Sequence, residues 1–261
     1  MYCYIYDSYL NDRKHGRVMA AIETRLTDLG LSGRIGRLNA FTNARGLVRD
    51  EIRRGVQTVV VVGNDQTVAK VVAGIGDGDI TLGIIPVGQP DDIARSLGIP
   101  AGALACDVLS RRVTQRVDLG SLNGQPFLSE VRIPPADYVV EIEGRYRIFP
   151  QTKDCEVVVS NMRGLGGAVP NRSARDLGDP QDGVLDAMIM PVRSGGWLSS
   201  LRGGEPTLVP VRRMTVRGDE PFEAMVDSVP VSGKEMVIEV LPDRLKVITG
   251  RDRVFGDGQE G

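Results

Sequence analysis

The sequence predicts an α/β protein in which an N-terminal doubly wound parallel-sheet domain is followed by an antiparallel β-sandwich domain. In the first half, short apolar runs alternate with helical patterns, as they do where helices connect parallel strands. Beyond Val113, short alternating segments are separated by turn residues and no long helix is evident. The predicted units are residues 1–115, residues 116–250 and a polar, flexible tail over residues 251–261.

Composition narrows the class of protein. The 261 residues carry a net charge of -2, and no Lys/Arg run appears, which argues against a nucleic-acid binder. The three cysteines are scattered and lack metal-ligand spacing, as expected for reduced thiols in a cytoplasmic protein. No signal peptide and no bilayer-spanning run is evident, so any membrane contact is predicted to be peripheral.

The first half contains four predicted strands and five predicted helices. Gly30 and Gly55 stand where the first two helices should stop. Asp91 or Asp92 is the predicted N-cap of the short helix that runs through Leu97. The strands are Tyr2 to Tyr6, Ser32 to Leu38, Val59 to Val62 and Thr81 to Ile85, and the helices cover Asn11 to Leu29, Asn43 to Arg54, Val68 to Ile75, Asp92 to Leu97 and Gly102 to Leu109.

The stretch from Gln57 to Thr67 organises this half. A β-branched apolar run ends abruptly in the polar turn Gly63-Asn64-Asp65-Gln66-Thr67, and a helical pattern follows. A turn at the carboxyl end of a buried strand directs its amides at whatever lies over the helix N-terminus. The pattern is typical of a nucleotide site, although an ordinary turn with Asp65 or Thr67 as N-cap has the same appearance.

The second half is predicted to consist of short strands only. Gly144 marks a hairpin-like turn between two of them, and exposed edge strands would offer a route to a homo-oligomer. The segments are Thr114 to Leu119, Gln125 to Ile133, Tyr138 to Ile142, Arg145 to Phe149, Cys155 to Ser160, Val184 to Pro191, Arg212 to Val216, Glu223 to Val226, Met236 to Leu241 and Leu245 to Thr249.

Two long stretches carry a family resemblance. They read VVVVGNDQTVAKVVAGI from Val59 and LGIIPVGQPDDIARSLGIP from Leu82. Further on, VVVSN, Gly166-Gly167, Pro170, DGVLD and GGWLSSLRGG follow in matching order and spacing. In these motifs the chain resembles the diacylglycerol kinase catalytic domain family, which includes bacterial lipid kinases and is distantly related to NAD kinases.

The resemblance implies a two-domain fold with ATP in the interdomain cleft and phosphates over the Gly63 turn. It also implies a lipid hydroxyl as phosphate acceptor. The nucleotide contacts that it implies are Thr42, Gly63, Asn64, Asp65, Gln66, Thr67, Gly88 and Gln89. It further implies a structural Mg²⁺ held by Asp182 and the carbonyl of Val184, where an ordinary turn is the alternative reading of Asp182 and Asp186.

Departures from the family pattern fall on its chemistry. The glycine turn G-G-D-G-T is here Gly63-Asn64-Asp65-Gln66-Thr67, and the side chain of Gln66 could either donate to phosphates or occlude them. The motif P-x-G-T-x-N-D has Gln89 for Thr and Asp91 for Asn, which adds negative charge near an anionic ligand. Asp7-Ser8-Tyr9-Leu10 replaces the usual signature after the first strand.

The most consequential departure concerns the general base. Where the family has V-D-G-E with Glu as the proposed base, this chain has Val226-Asp227-Ser228-Val229. Losing a positioned base typically lowers the rate by ~10²–10⁴. Asp65 is the first candidate to replace it. Asp227 is the second, because it would share the face of Val229 on an extended strand.

Three functions follow as hypotheses. The first is an ATP- and Mg²⁺-dependent lipid kinase that contacts a nucleotide and a lipid. The second is a catalytically inactive, kinase-like nucleotide-binding or regulatory protein, which Val229 and the altered turn favour. The third is a kinase with a changed substrate, in which Gln66 and Gln89 rebuild the pocket. Fold-level similarity cannot decide among them, because function resides in the site.

Overall fold

The structure is a computed structural model. It describes residues 1–39, 42–76, 79–148, 155–162, 178–191, 207–227 and 229–256. The predicted motifs at Gly166-Gly167, Pro170 and 195–204, together with Ser228, lie outside the described residues.

Four parallel strands form the sheet of the first half. They are β1 (Tyr2–Tyr6), β2 (Gly33–Arg37), β3 (Thr58–Gly63) and β4 (Thr81–Pro86). They lie in the order β4-β3-β1-β2, with Tyr4 opposite Val60 and Val60 opposite Gly83. Every residue of β3 and β4 is buried, which explains their continuous apolar composition. The carboxyl ends of β1, β3 and β4 therefore meet at one edge of the sheet.

Five helices connect or follow these strands. They are α1 (Gly16–Asp28), α2 (Ala44–Arg53), α3 (Asp65–Ile75), α4 (Asp92–Ser96) and α5 (Leu104–Arg111). The first begins later than the predicted Asn11, because two short 3-10 helices, Ser8–Asn11 and Arg13–His15, precede it. The side chains of Asp7 and Asp12 cap these turns, and this local bonding competes with the α-helix.

The second half is an antiparallel array. Its strands are β5 (Thr114–Leu122), β6 (Gln125–Phe127), β7 (Glu130–Ile133), β8 (Tyr138–Ile142), β9 (Tyr146–Ile148), β10 (Cys155–Ser160), β11 (Leu185–Pro191), β12 (Thr207–Val211), β13 (Arg213–Val226) and β14 (Val229–Ile248). Two pairs of predicted segments merge into the long hairpin of β13 and β14. One predicted segment, Gln125 to Ile133, divides into β6 and β7.

The long strand β14 joins the two halves. It pairs with β13 and β5 in antiparallel fashion, and its end pairs with β4 in parallel, Lys246 opposite Thr81. Two hydrophobic cores result, one beneath each half. The chain then returns to the first core, where Phe255 is buried and the amide of Val254 donates to the carbonyl of Ser96 at 3.0 Å.

The predicted fold class, a parallel α/β half followed by an antiparallel β half, is confirmed. Among the described residues, none of the helices has the length and apolar character needed to cross a bilayer.

Candidate active site

The Gly63 turn, residues Gly63 to Thr67, lies at the carboxyl end of β3. Gly63 is required there because a Cβ on it would lie 2.5 Å from Oγ1 of Thr67 and 2.8 Å from its Cβ. Thr67 itself is fully buried. The turn therefore folds back tightly on the strand that it follows.

Asn64 caps α3 and ties it to the loop after β4. Its Oδ1 accepts from the amide of Thr67 at 3.2 Å, and its Nδ2 donates to the carbonyl of Gln89 at 3.1 Å. The amide of Asp65 donates to the carbonyl of Pro90 at 2.9 Å. Two amides that were expected to face an anion are thus bonded within the protein.

The carboxylate of Asp65 caps a neighbouring helix, α4. Its Oδ2 accepts from the amide of Asp92 at 2.8 Å, and its Oδ1 accepts from the amide of Ile93 at 3.3 Å. Asp91 is the N-cap residue of α4, as predicted, but its side chain makes no capping bond, and Asp65 supplies that bond from another element. Burial raises the pKa of Asp65 to about 6, although the two amides lower it.

The side chain of Gln66 is exposed and is not buried inside the Gly63 turn. It lies on the same helical face as Ala69, Lys70 and Ala73, at spacings of three, four and seven residues. Gly88 and Gln89 are exposed as well, and Gly88 adopts a positive φ of 84° beside the ring of Tyr9.

Asp7 links the ends of β1 and β3. Its Oδ2 accepts from Oγ1 of Thr67 at 2.9 Å and from Nζ of Lys70 at 3.1 Å, and its Oδ1 accepts from the amide of Ser8 at 2.7 Å. Burial would raise the pKa of Asp7, but the bonds from Thr67, Lys70 and Ser8 hold it below its usual value. The Thr67 hydroxyl, a predicted nucleotide contact, is therefore directed at Asp7.

A cleft of about 240 Å³ opens one helical turn further along α3. It lies where α2 and α3 face β6 and the turn between β13 and β14. Its lining comprises Asn43, Ala44, Arg45, Ala69, Lys70, Ala73, Gln125, Pro126, Val226, Asp227 and Val229. Neither the residues of the Gly63 turn nor Gly88 and Gln89 line it; the predicted contact Thr42 directly precedes Asn43.

Asp227 lines the cleft, but its carboxylate is hydrogen-bonded to backbone amides. It lies in a left-handed conformation, φ 44°, in the hairpin turn between Val226 and Val229. The expectation that it shares the face of Val229 on an extended strand is therefore wrong. Its carboxylate accepts from three amides, those of Leu128 at 2.8 Å and of Ser129 and Glu130 at 2.9 Å.

These three bonds explain why the predicted strand over Gln125 to Ile133 breaks, because its middle amides turn toward Asp227. Burial raises the pKa of Asp227 to about 6, although the amides lower it. Val229 offers the cleft no titratable group.

The predicted metal residues lie in the loop before β11. Asp182 accepts through Oδ1 from the amide of Val184 at 3.0 Å. Burial and then the charges of Asp179, Asp186 and Asp118 raise the pKa of Asp182, against the effect of the Val184 amide. Asp118 accepts from the amides of Gly183 and Asp243, both at 2.8 Å. Among the described residues, no group of three or more His, Cys, Asp or Glu side chains is arranged to hold a metal.

The structure brings Asn64, Asp65, Thr67 and Gln89 together, whereas Asp227 and Val229 lie in the cleft and Asp182 and Val184 pack beside Asp118. Sequence reasoning missed Asp7, Arg45 and Lys70. A signal for Lys70 was present, since it is the one cation within the otherwise apolar pattern of α3 and follows Gln66 by one turn.

Comparison with known proteins adds three findings. The family model of the diacylglycerol kinase catalytic domain matches residues 2–122. A Pseudomonas aeruginosa protein named "Probable lipid kinase YegS-like" is 28% identical over 243 residues, covering 78% of this chain and 80% of its own length. A diacylglycerol kinase of Bacillus subtilis is 35% identical over 91 residues, 33% of this chain and 30% of its own length.

Solved structures extend the likeness to the whole fold. The crystal structure of a diacylglycerol kinase from Bacillus anthracis str. Sterne superimposes with a TM-score of 0.75 at 22% identity. It covers 95% of this chain and 96% of its own. At this identity the likeness concerns the fold.

Proposed function

We infer, from the premise that this chain belongs to the diacylglycerol kinase-like lipid kinase family, that it binds ATP in the cleft between its halves and transfers a phosphoryl group to a lipid hydroxyl. The observation that supports this proposal is the cleft itself. It lies between the helices that follow β2 and β3 and the hairpin turn that carries Asp227 and Val229.

In this proposal the nucleotide lies along one face of α3. The small side chains Ala69 and Ala73 leave room for it, while Gln66 and Lys70 donate to its phosphates near the positive end of the helix. Thr42 flanks the cleft beside Asn43. Gly63, Asn64, Thr67, Gly88 and Gln89 shape the loops at the amino end of α3.

Asp65 and Asp227 are the proposed proton acceptors. For both, the pKa of about 6 lies near the range that suits a general base at neutral pH. Asp65 accepts from two amides and Asp227 from three, so Asp65 keeps more of its lone pairs free to take a proton. On this count we assign Asp65 as the first candidate, while Asp227 is the one of the two that lines the cleft.

Mg²⁺, when bound, would neutralise phosphate charge. For the structural ion, Asp182 and the carbonyl of Val184 offer oxygen ligands, which Mg²⁺ prefers. The charges of Asp179, Asp186 and Asp118 raise the pKa of Asp182, although the described residues form no group of three or more side chains arranged to hold a metal. Titrating Mg²⁺ against the wild type and Asp182→Asn tests this, since only the wild type should gain melting temperature.

A second candidate function is nucleotide binding without transfer. Two observations favour it: Val229 offers no base, and Asp227 is held by three amides. In the kinase proposal the lipid would reach the cleft through peripheral contact with a membrane surface.

Thermal denaturation with and without ATP and Mg²⁺ tests whether the protein binds the nucleotide. A ligand that is selective for the native state stabilises it, by roughly 2.7 kcal/mol at a ligand concentration one hundred times the Kd. The melting temperature rises as a result. Phosphate transfer to diacylglycerol in mixed lipid extract then distinguishes the two candidates. Asp65→Asn should abolish any turnover. Binding without turnover favours the second candidate, and no binding refutes both.

A further inference from the structure

We propose that Arg45 and Lys70 form a phosphate-binding pair inside the cleft. The two cations stand on facing helices, α2 and α3, and both line the cleft. The proposal rests on the proposed function insofar as the phosphate belongs to a nucleotide, but the anion site itself can be tested without any turnover.

Lys70 is held in position from behind. Its Nζ lies 3.1 Å from Oδ2 of Asp7, a nearly buried carboxylate that Thr67 and Ser8 also contact. An ammonium group has three donors, and the Lys70 side chain remains 44% exposed. Donors therefore remain for a ligand in the cleft, while Asp7 limits the freedom of the long side chain.

Arg45 approaches the same part of the cleft from α2. The helices pack closely at Gly74, where a Cβ would lie 3.0 Å from Cα of Arg45 and from Cβ of Val48. Gly74 follows Lys70 by one helical turn, about 6 Å along the axis. No carboxylate among the described residues forms an ion pair with the Arg45 guanidinium, so its planar set of donors is available for phosphate.

The remaining lining does not oppose an anion. Asp227 is the carboxylate of the cleft, and its oxygens are directed at the amides of Leu128, Ser129 and Glu130. The other walls are largely small or apolar, with Ala44, Ala69, Ala73, Pro126, Val226 and Val229. The N-terminus of α2 adds its positive dipole end beside Arg45. The chemistry of the cleft thus suits a phosphate or phosphoanhydride group.

Isothermal titration calorimetry at low salt tests the pair with pyrophosphate, ADP and adenosine. We expect Arg45→Gln and Lys70→Met each to weaken pyrophosphate and ADP binding about tenfold or more. Adenosine affinity should change less than threefold. Arg49→Gln, an exposed arginine of α2 outside the cleft, is the matched control and should bind pyrophosphate like the wild type.

Lys70→Met removes the ion-pair partner of Asp7. If this single variant does not fold, the double variant Asp7→Asn/Lys70→Met replaces it in the test. It should be folded and equally deficient in pyrophosphate binding. Absence of pyrophosphate binding in the wild type, or wild-type affinity in Arg45→Gln and the Lys70 variants, would overturn the pair. If the wild type transfers phosphate and the Arg45 and Lys70 variants bind pyrophosphate as the wild type does, the pair is overturned and the kinase proposal stands. If pyrophosphate binding depends on the pair but ATP does not bind, the pair stands and the kinase proposal is overturned.

Discussion

The Gly63 turn and the cleft at Lys70 occupy consecutive turns of the same helix, yet their polar groups are used in opposite ways. In the turn, Asn64, Asp65 and Thr67 are all hydrogen-bonded to other parts of the protein. In the cleft, Lys70 is held by one carboxylate and remains partly exposed. The residues of the Gly63 turn hold the loops together, and residues of the next helical turn face the open space.

The difference teaches that a motif position does not decide a side chain's role by itself. Asp65 and Asp227 were predicted from the same family chemistry, and both prove to cap backbone amides. A side chain can bind a ligand only with the donors or acceptors that are not already used in hydrogen bonds within the protein. Four predictions test how firmly the two regions differ.

The largest effect is expected at Asp227. Asp227→Ala leaves three amides without their acceptor, and we expect a loss of about 3 kcal/mol in the free energy of unfolding. Urea denaturation measures it. Glu223→Ala, an exposed carboxylate on the same strand, is the control and should change stability by less than about 0.5 kcal/mol. Equal midpoints for the Asp227 and Glu223 variants would mean that water satisfies the amides.

The next effect is expected at Gly63. Gly63→Ala would bring a Cβ within 2.8 Å of Cβ of Thr67, and we expect a destabilisation of about 2 kcal/mol from overpacking. Gly46→Ala is the control, because its nearest neighbour would be 3.8 Å away and helix propensity should stabilise it by up to about 1 kcal/mol. Thermal unfolding compares the two. If the Gly63 variant is as stable as the wild type, the turn adjusts to the added Cβ without a loss of stability.

A smaller effect concerns Asp65 and pH. Its pKa is raised from the usual 3.8 to about 6, so between these values the folded protein binds more protons than the unfolded chain. The stability contributed by this group therefore falls as pH rises from about 4 to about 6. Asp65→Asn does not titrate, so its stability relative to wild type should rise over that window, by about 1 kcal/mol after discounting for partial exposure.

Denaturant midpoints of both proteins at several pH values measure this difference. A constant difference across the window would show that burial of Asp65 does not disfavour its charged form.

The smallest effect is expected at Gln66. Because its side chain is exposed, Gln66→Ala should change the free energy of unfolding by less than about 0.5 kcal/mol. If Gln66 donates to phosphates as proposed, ATP affinity should fall several-fold at unchanged stability. A rise in affinity would instead indicate that the glutamine obstructs the ligand.

Much of the fold could be predicted because its signals are local. The buried run of β3 and the glycines after α1 and α2 lie within a few residues of the elements that they define. The bounds of α1 and the division of β6 from β7 could not be predicted. The first depends on the caps of Asp7 and Asp12, and the second on Asp227, about one hundred residues away.

By itself, then, the sequence determined the parallel half, the antiparallel half and the turn where β3 meets α3, because β-branched runs and helical spacing are read within a short stretch of chain. Only the tertiary structure decided what the site's side chains do. Asp7 meets Lys70 across 63 positions, and Asp65 meets Ile93 across 28. A carboxylate bonds to whichever donors the fold brings within about 3 Å, and no short pattern of residues states which those will be.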